Sequence, residues 1–283
     1  MNPSIAPSRG ALWFSILTGD ATPIAGYPAS VRVADADLAG RRARYLAVVP
    51  DPANRFPRAR SGEVGLIEGW QLARAVQELM AADRGAGKTP IVAVIDVASQ
   101  AYGRREEAFG IHQALAAAAG AYAQARLAGH PVLGLIVGKA MSGAFLAHGY
   151  QANRLIAIND PAVTVHAMGK ESAARITLRS VDALTALAAT IPPMAYDIAS
   201  FASLGLLWRC LTLDQPAQPS AADIHTVEHS LREALASVRA DPGRDLGSRL
   251  DAKHRRASVT VREMMRTQWS RDDSQAAMQL RLD

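Results

Sequence analysis

The stretch Pro131 to Gly149, PVLGLIVGKAMSGAFLAHG, constrains the fold of this chain more than any other. Pro131 to Val137 is a short continuous apolar run bounded by proline and glycine, the pattern of a strand buried on both faces. Gly138 to Gly143 reads as a turn of small residues, and Ala144 to Tyr150 is apolar with good helix formers. A strand that passes through a tight turn into a helix leaves the first N–H groups of that helix without intrahelical partners, at the positive end of its dipole. Gly143 and Ala144 carry almost no side chain, so an oxygen atom can approach their amides closely. The same features suit an oxyanion hole and a connection packed tightly with small residues.

A second apolar strand, Ile91 to Ile95, ends at Asp96. Between the two strands lies an Ala-rich helix, Ala108 to Ala128, with Ile111, Leu115, Ala118 and Tyr122 on one face. Ser61 opens an earlier helix, whose face carries Leu66, Trp70, Ala73, Val76 and Met80. Helices alternating with buried strands predict an α/β fold with parallel strands. In such sheets ligands sit at the carboxyl ends of the strands. The loops Val97 to Gly103 and Gly138 to Gly143 both fall at that edge.

Elsewhere Leu12 to Leu17, Ala29 to Ala34 and Tyr45 to Val49 read as strands, and Asp51 to Gly62 as a long loop. Arg154 to Ile158 and Val163 to His166 are short strands. Helices follow from Ala167, over Val181 to Thr190 and over Tyr196 to Phe201, and Leu204 to Leu213 is the last core strand. After a linker at Gln215 to Ser220, Ala221 to Arg239 is a helix with Ile224, Val227, Leu231 and Leu235 on one face, and a charged tail follows. Trp70 and Trp208 are expected in the core.

Composition excludes several classes. The 283 residues are 49% hydrophobic and 20% charged, as in a globular enzyme, with a net charge of only +5. No basic stripe interleaved with aromatics points to nucleic acid. The most apolar segment is broken by Lys139 and glycines, so no membrane span is expected. The N-terminus has no signal-peptide pattern, and the single cysteine, Cys210, forms no internal disulfide and reads as core. Both suit a cytoplasmic protein. Gly87-Lys88-Thr89 imitates the end of a phosphate loop, but Ala82 stands where the motif needs its first glycine. His112, His130, His148 and His166 show no metal-ligand spacing, so no metal is expected.

A set of motifs carries a resemblance. Ile95-Asp96 stands with Tyr102-Gly103 and Glu106-Glu107, beside Gly138-Lys139-Ala140-Met141-Ser142-Gly143-Ala144 and Val165-His166-Ala167-Met168-Gly169. Over Ser61 to Leu178 the chain resembles the crotonase-type carboxyltransferase half-domain of acyl-CoA carboxylases. That family's Pro-Gly after the acidic residue is replaced here by Ala98-Ser99. The variant Ser99 to Glu107, the chain length and the helical tail resemble the gamma subunits of biotin-independent malonate decarboxylases.

The resemblance implies a crotonase (ClpP/crotonase-like) fold of stacked parallel β-sheets flanked by helices. Residues 1–214 would form this domain, and residues 215–283 a helical extension that contacts other subunits. It also implies a carboxy-lyase that converts a malonyl thioester into an acetyl thioester and CO2 by stabilising an enolate. A beta subunit would pair with this chain and share the active site. An acyl-carrier protein, the delta subunit, would bring the substrate on a CoA-derived arm, and an alpha transferase subunit would load it. No cofactor would be bound by this chain directly. The catalytic group would be Gly143, Ala144 and Ser142, with Ser99, Gln100, Ala101, Tyr102, Gly103, Gly138, Lys139, Met141 and His166 binding substrate. Tyr102, His166 and Ser99 are candidates for donating a proton to the carbanion. Arg104, Arg105, Lys139 and Lys170 are cations that could attract the carrier or its arm.

Two rival readings use the same residues. One is the carboxyltransferase half of a biotin-dependent carboxylase or decarboxylase. The other is a Clp-like serine peptidase using Ser142 and His166, with Asp214 as the third member. Against the peptidase, Ser142 is also a small polar helix cap, and the motif Tyr102 to Glu107 has no role in that chemistry.

Overall fold

The computed structural model describes residues 7–19, 21–83, 85, 87–241, 243, 245–250 and 252–279. In chain order the elements are α1 (Arg9–Thr18), β1 (Val31–Asp37), β2 (Arg42–Val48), α2 (Leu66–Ala82), β3 (Ile91–Val97), α3 (Arg104–Ala108) and α4 (Ile111–Leu127). There follow β4 (Val132–Met141), α5 (Ser142–Ala147), β5 (Arg154–Ile158), β6 (Thr164–His166), α6 (Lys170–Ile176) and α7 (Val181–Ala188). The chain continues through α8 (Ile198–Ser203), β7 (Arg209–Leu211), α9 (Ala221–Ala240) and α10 (Arg256–Gln279).

The described strands form one seven-stranded sheet in the order β1-β2-β3-β4-β5-β7, with β6 pairing β4 off that path. β1 runs antiparallel to β2, and every other pairing is parallel. β4 is the hub. Its first half pairs β5 from Leu133 to Ile136, and its second half pairs β6 from Lys139 to Met141. Every residue of β4 except Lys139 is buried, as the apolar run requires.

Several expectations change. Leu12 to Leu17 lies inside helix α1: Ser8 caps it through the N–H of Ala11, Gly19 ends it at φ 58°, and Gly10, Trp13, Phe14 and Leu17 are buried at helical spacing. Most of the turn expected at Gly138 to Gly143 is strand, because β6 supplies a second partner for β4. The helix expected from Ala108 to Ala128 is α4, Ile111–Leu127, set off from the short α3 by Gly110 at φ 80°. The earlier helix begins at Leu66, and within Leu204 to Leu213 only Arg209–Leu211 is strand. Trp70 is 50% exposed and Cys210 is also exposed, so neither belongs to the core. Val227, Leu231, Ala234 and Leu235 of α9 join the same core cluster as the sheet. The indole N–H of Trp13 donates to Pro216 O at 3.1 Å, tying α1 to the segment before α9.

Two carboxylates, the half-buried Asp96 and the buried Glu68, shape the edge where β3 and β4 end. Asp96 Oδ2 accepts the N–H of Gly10 and Oδ1 the N–H of Lys139, each at 3.0 Å. It sits where the β3–β4 register shifts, between Ile95 and Val97. A Cβ on Gly138 would overlap the Asp96 carboxylate, so any larger residue there forces that side chain to move. Glu68 accepts from Ser30 Oγ at 2.6 Å, Asn54 Nδ2 at 2.7 Å and the N–H of Gly65 at 3.0 Å. These bonds fasten the loop Asp51 to Gly62 to α2.

Candidate active site

β4 hands over to α5 at Ser142, whose φ of 60° is left-handed. A non-glycine residue there carries about 1–2 kcal/mol of strain, and such strain gathers at functional sites. Beside it, the segment after β3 is clamped to Val64. The N–H of Val64 donates to Ser99 O at 3.0 Å, and the N–H of Ala101 to Val64 O at 2.9 Å. Gln100 is thereby held with its side chain toward α5. Its Oε1 accepts the N–H of Gly143 at 3.1 Å and the hydroxyl of Ser142 at 3.4 Å. A Cβ on Gly143 would overlap that oxygen.

His166 closes β6 opposite Met141. Its ring stacks on Tyr196, with centroids 3.9 Å apart and planes 12° apart. Nδ1 lies 3.0 Å from Met168 O and 3.2 Å from Met168 N, so one tautomer donates there and the other accepts. Burial lowers the pKa of His166 below the usual imidazole value, against the hydrogen bond to Met168 O, which raises it.

Gln100, Ser142, Gly143 and His166 line one cavity of about 670 Å³. Its other walls are apolar, with Phe145 and Leu146 from α5, Met168 after β6, Ile176 and Leu184 from α6 and α7, and Met194. The sequence reading missed these walls. Their signal lies in α6, α7 and the segments beside them, where Ile176, Leu178, Val181 and Ile191 have no core to enter. Leu178 is 93% exposed.

The other expected site residues lie elsewhere. Ala144 is fully buried behind the cavity wall, and Met141 is buried with its sulfur 3.9 Å from Thr164 Oγ1. Lys139 is exposed and does not line the cavity. Gly138 packs over Asp96, and Gly103 packs over Glu106 at the start of α3. Ala101 belongs to a small core with Phe56, Leu66 and Ile111, and Tyr102 is exposed beyond it. Ser99 serves the Val64 clamp through its carbonyl. One correction concerns the chemistry directly. The Gly143 amide, expected to be bare, already donates to Gln100, because the missing Cβ leaves room for a carboxamide.

A Ser-His-Asp arrangement is not assembled. The Ser142 hydroxyl meets Gln100, the Nδ1 of His166 meets the backbone of Met168, and the N–H of Asp214 caps Asp223 at 2.9 Å. Among the described residues, His166 has no carboxylate partner. No group of three or more His, Cys, Asp or Glu that could hold a metal ion occurs among them either.

A family model described as MdcE, malonate decarboxylase gamma subunit, matches residues 59–269. The chain belongs to that family. Of its length, 93% superposes on all of a chain from the solved Pseudomonas malonate decarboxylase MdcD-MdcE hetero-dimer, at 63% identity and TM-score 0.85. The malonyl-S-ACP:biotin-protein carboxyltransferase MADD of Malonomonas rubra is 37% identical over 155 residues, 53% of each chain. The gamma-family chain thus spans about half the length of this curated relative. A transcarboxylase 12S chain, 20% identical with TM-score 0.62 over 81% of this chain and 42% of that one, shares the fold. That fold is the crotonase type of the carboxyltransferases. Among the described residues no helix is long and apolar enough to cross a membrane.

Proposed function

We propose that this gamma subunit pairs with a beta subunit, and that the pair decarboxylates a malonyl thioester on an acyl-carrier protein. The bond from the methylene carbon to the carboxylate breaks, CO2 leaves, and the electron pair becomes an enolate. A proton delivered to that carbon then gives the acetyl thioester. The enolate oxygen would lie against the N–H of Gly143, which lines the cavity. The N–H of Ala144, third residue of its helix and without an intrahelical acceptor, would join it only from behind that wall. Among the three candidate proton donors, His166 lines the cavity. The substrate's CoA-derived arm belongs to the carrier.

One observation carries this reading: the N–H of Gly143 points at a side-chain oxygen that lines the cavity. Gln100 is a neutral acceptor on a rotatable stem. An enolate oxygen makes a stronger, charge-assisted bond and can displace it. The exposed apolar residues Leu146 and Ile176 on the cavity wall, with Leu178 and Ile191 next in sequence to the wall residues Thr177 and Pro192, suit burial under a partner subunit.

The Malonomonas relative supports a second reading, transfer of the carboxyl group to a biotin protein. Malonate-dependent CO2 release by the co-purified subunits, with and without avidin, separates the two. Release insensitive to avidin is expected. Inhibition by avidin would move the assignment to the biotin route, and no release at all would remove both.

A further inference from the structure

Arg126 stands in the last turn of α4 and is 7% exposed. A guanidinium taken out of water normally brings a carboxylate with it. Its Nη2 makes one long contact, 3.5 Å to Gln151 Oε1, while Nε and Nη1 have no hydrogen-bond partner among the described residues. Four residues on, His130 is 1% exposed. Its Nδ1 lies 3.0 Å from the carbonyl of Thr89, and its Nε2 also has no partner among the described residues. Both side chains line a cavity of about 290 Å³, together with Arg239. An adjoining cleft of about 520 Å³ shares Arg239 and adds Arg41, Arg42 and Lys88.

The nearby acids do not neutralise this group. Asp241 lines the cavity but is paired with Arg154 at 2.8 Å. Asp83 accepts the N–H of Thr89 and stays 3.9 Å from His130 Nδ1. Asp245 favours the charged form of Arg126 but makes no ion pair with it among the described residues. The lining residues lie in or just after the last turns of α4 and α9 and just before β4 and β5, and those of the adjoining cleft lie at the starts of β2 and β3. The cavity therefore opens at the amino ends of the strands, opposite Gly143.

The direction of the hydrogen bonds narrows the ligand. A carbonyl only accepts, so His130 Nδ1 must donate to Thr89 O. In the neutral ring Nε2 is then an acceptor. A ligand that fits has oxygens for the Arg126 N–H groups and a hydroxyl for His130 Nε2. Hydrogen phosphate has both, whereas sulfate and a carboxylate at neutral pH lack the hydroxyl.

We infer that this cavity binds hydrogen phosphate, with its oxygens on Nε and Nη1 of Arg126, its hydroxyl on Nε2 of His130 and Arg239 at the rim. The gamma subunit would thus carry an anion site at the opposite edge of the sheet from its chemistry.

The test titrates the assembled complex with inorganic phosphate and, separately, with sulfate, at neutral pH and matched ionic strength, by calorimetry and thermal melting. One phosphate per gamma chain is expected, with a raised melting temperature and weaker sulfate binding. Arg126→Gln should weaken phosphate binding by about tenfold or more, the effect of losing charge-assisted hydrogen bonds. Arg239 is exposed, so Arg239→Gln should fold normally, keep its malonate-dependent rate without phosphate, and still bind phosphate several-fold more weakly. Equal responses to phosphate and sulfate would overturn the assignment. So would no response, or undiminished binding in Arg239→Gln should the Arg126 variant fail to fold.

Discussion

The missing side chain at Gly143 leaves room for one oxygen atom, now the carboxamide oxygen of Gln100. Gly143→Val would fill that room with carbon. It should lower kcat of the assembled complex by about 10²–10³, as for other lost oxyanion donors, with a stability loss no larger than an overpacking cost of about 1–3 kcal/mol. A rate close to wild type would take this amide out of the chemistry. His148 gives a second prediction. It is fully buried, its Nδ1 accepts the Tyr122 hydroxyl at 3.0 Å, and its Nε2–H donates to Val94 O at 2.9 Å. Burial lowers its pKa from 6.5 to about 4. The unfolded chain therefore takes up the proton first. The stabilisation from a neutral His148 is complete above about 6.5 and disappears as pH falls through about 4. Urea unfolding across that window should show a decline of about 3 kcal/mol that His148→Phe lacks. At this scale the sequence was partly legible. Small residues flagged Gly143, but a rotamer is not written in a sequence, so Gln100 as the amide's partner was not foreseen.

Among the elements, β3 and β4 were readable because strands buried on both faces are continuous apolar runs. α1 was not, because a short apolar run fits strand and helix equally. Its identity rests on the Ser8 cap and on burial at helical spacing. Reading Gly138 to Met141 as turn also misplaced Lys139. Once β4 extends to Met141, strand alternation puts neighbouring side chains on opposite faces and Lys139 outside the cavity. The β3–β4 junction depends on Asp96, and Gly138→Ala would press a methyl group into that carboxylate. An overpacking loss of about 1–3 kcal/mol is expected in urea unfolding. Wild-type stability in that variant would show that Asp96 can move without cost.

For the whole molecule, α10 stands apart. Its substantial contacts among the described residues are with the short 3-10 turn ahead of it, and Val261, Met264, Met265 and Trp269 are exposed at helical spacing. α9, by contrast, is part of the core. The tail expected to begin after residue 214 therefore separates into a helix that completes the fold and a helix available to other subunits. Ending the chain after Arg255 should leave the melting temperature of the gamma subunit within about 2 °C of wild type, because little buried area is lost. Co-purification with the beta subunit should weaken. A large drop in melting temperature would show α10 to be structural.

The bond from Gly10 to Asp96 has a practical side. One carboxylate holds the first turn of α1 and also the second half of β4, which leads into Ser142. Anything that tugs on the leading end of the chain, such as an affinity handle or a fused reporter, pulls on the reactive loop through a single acid. Protein made for kinetics should carry such cargo elsewhere.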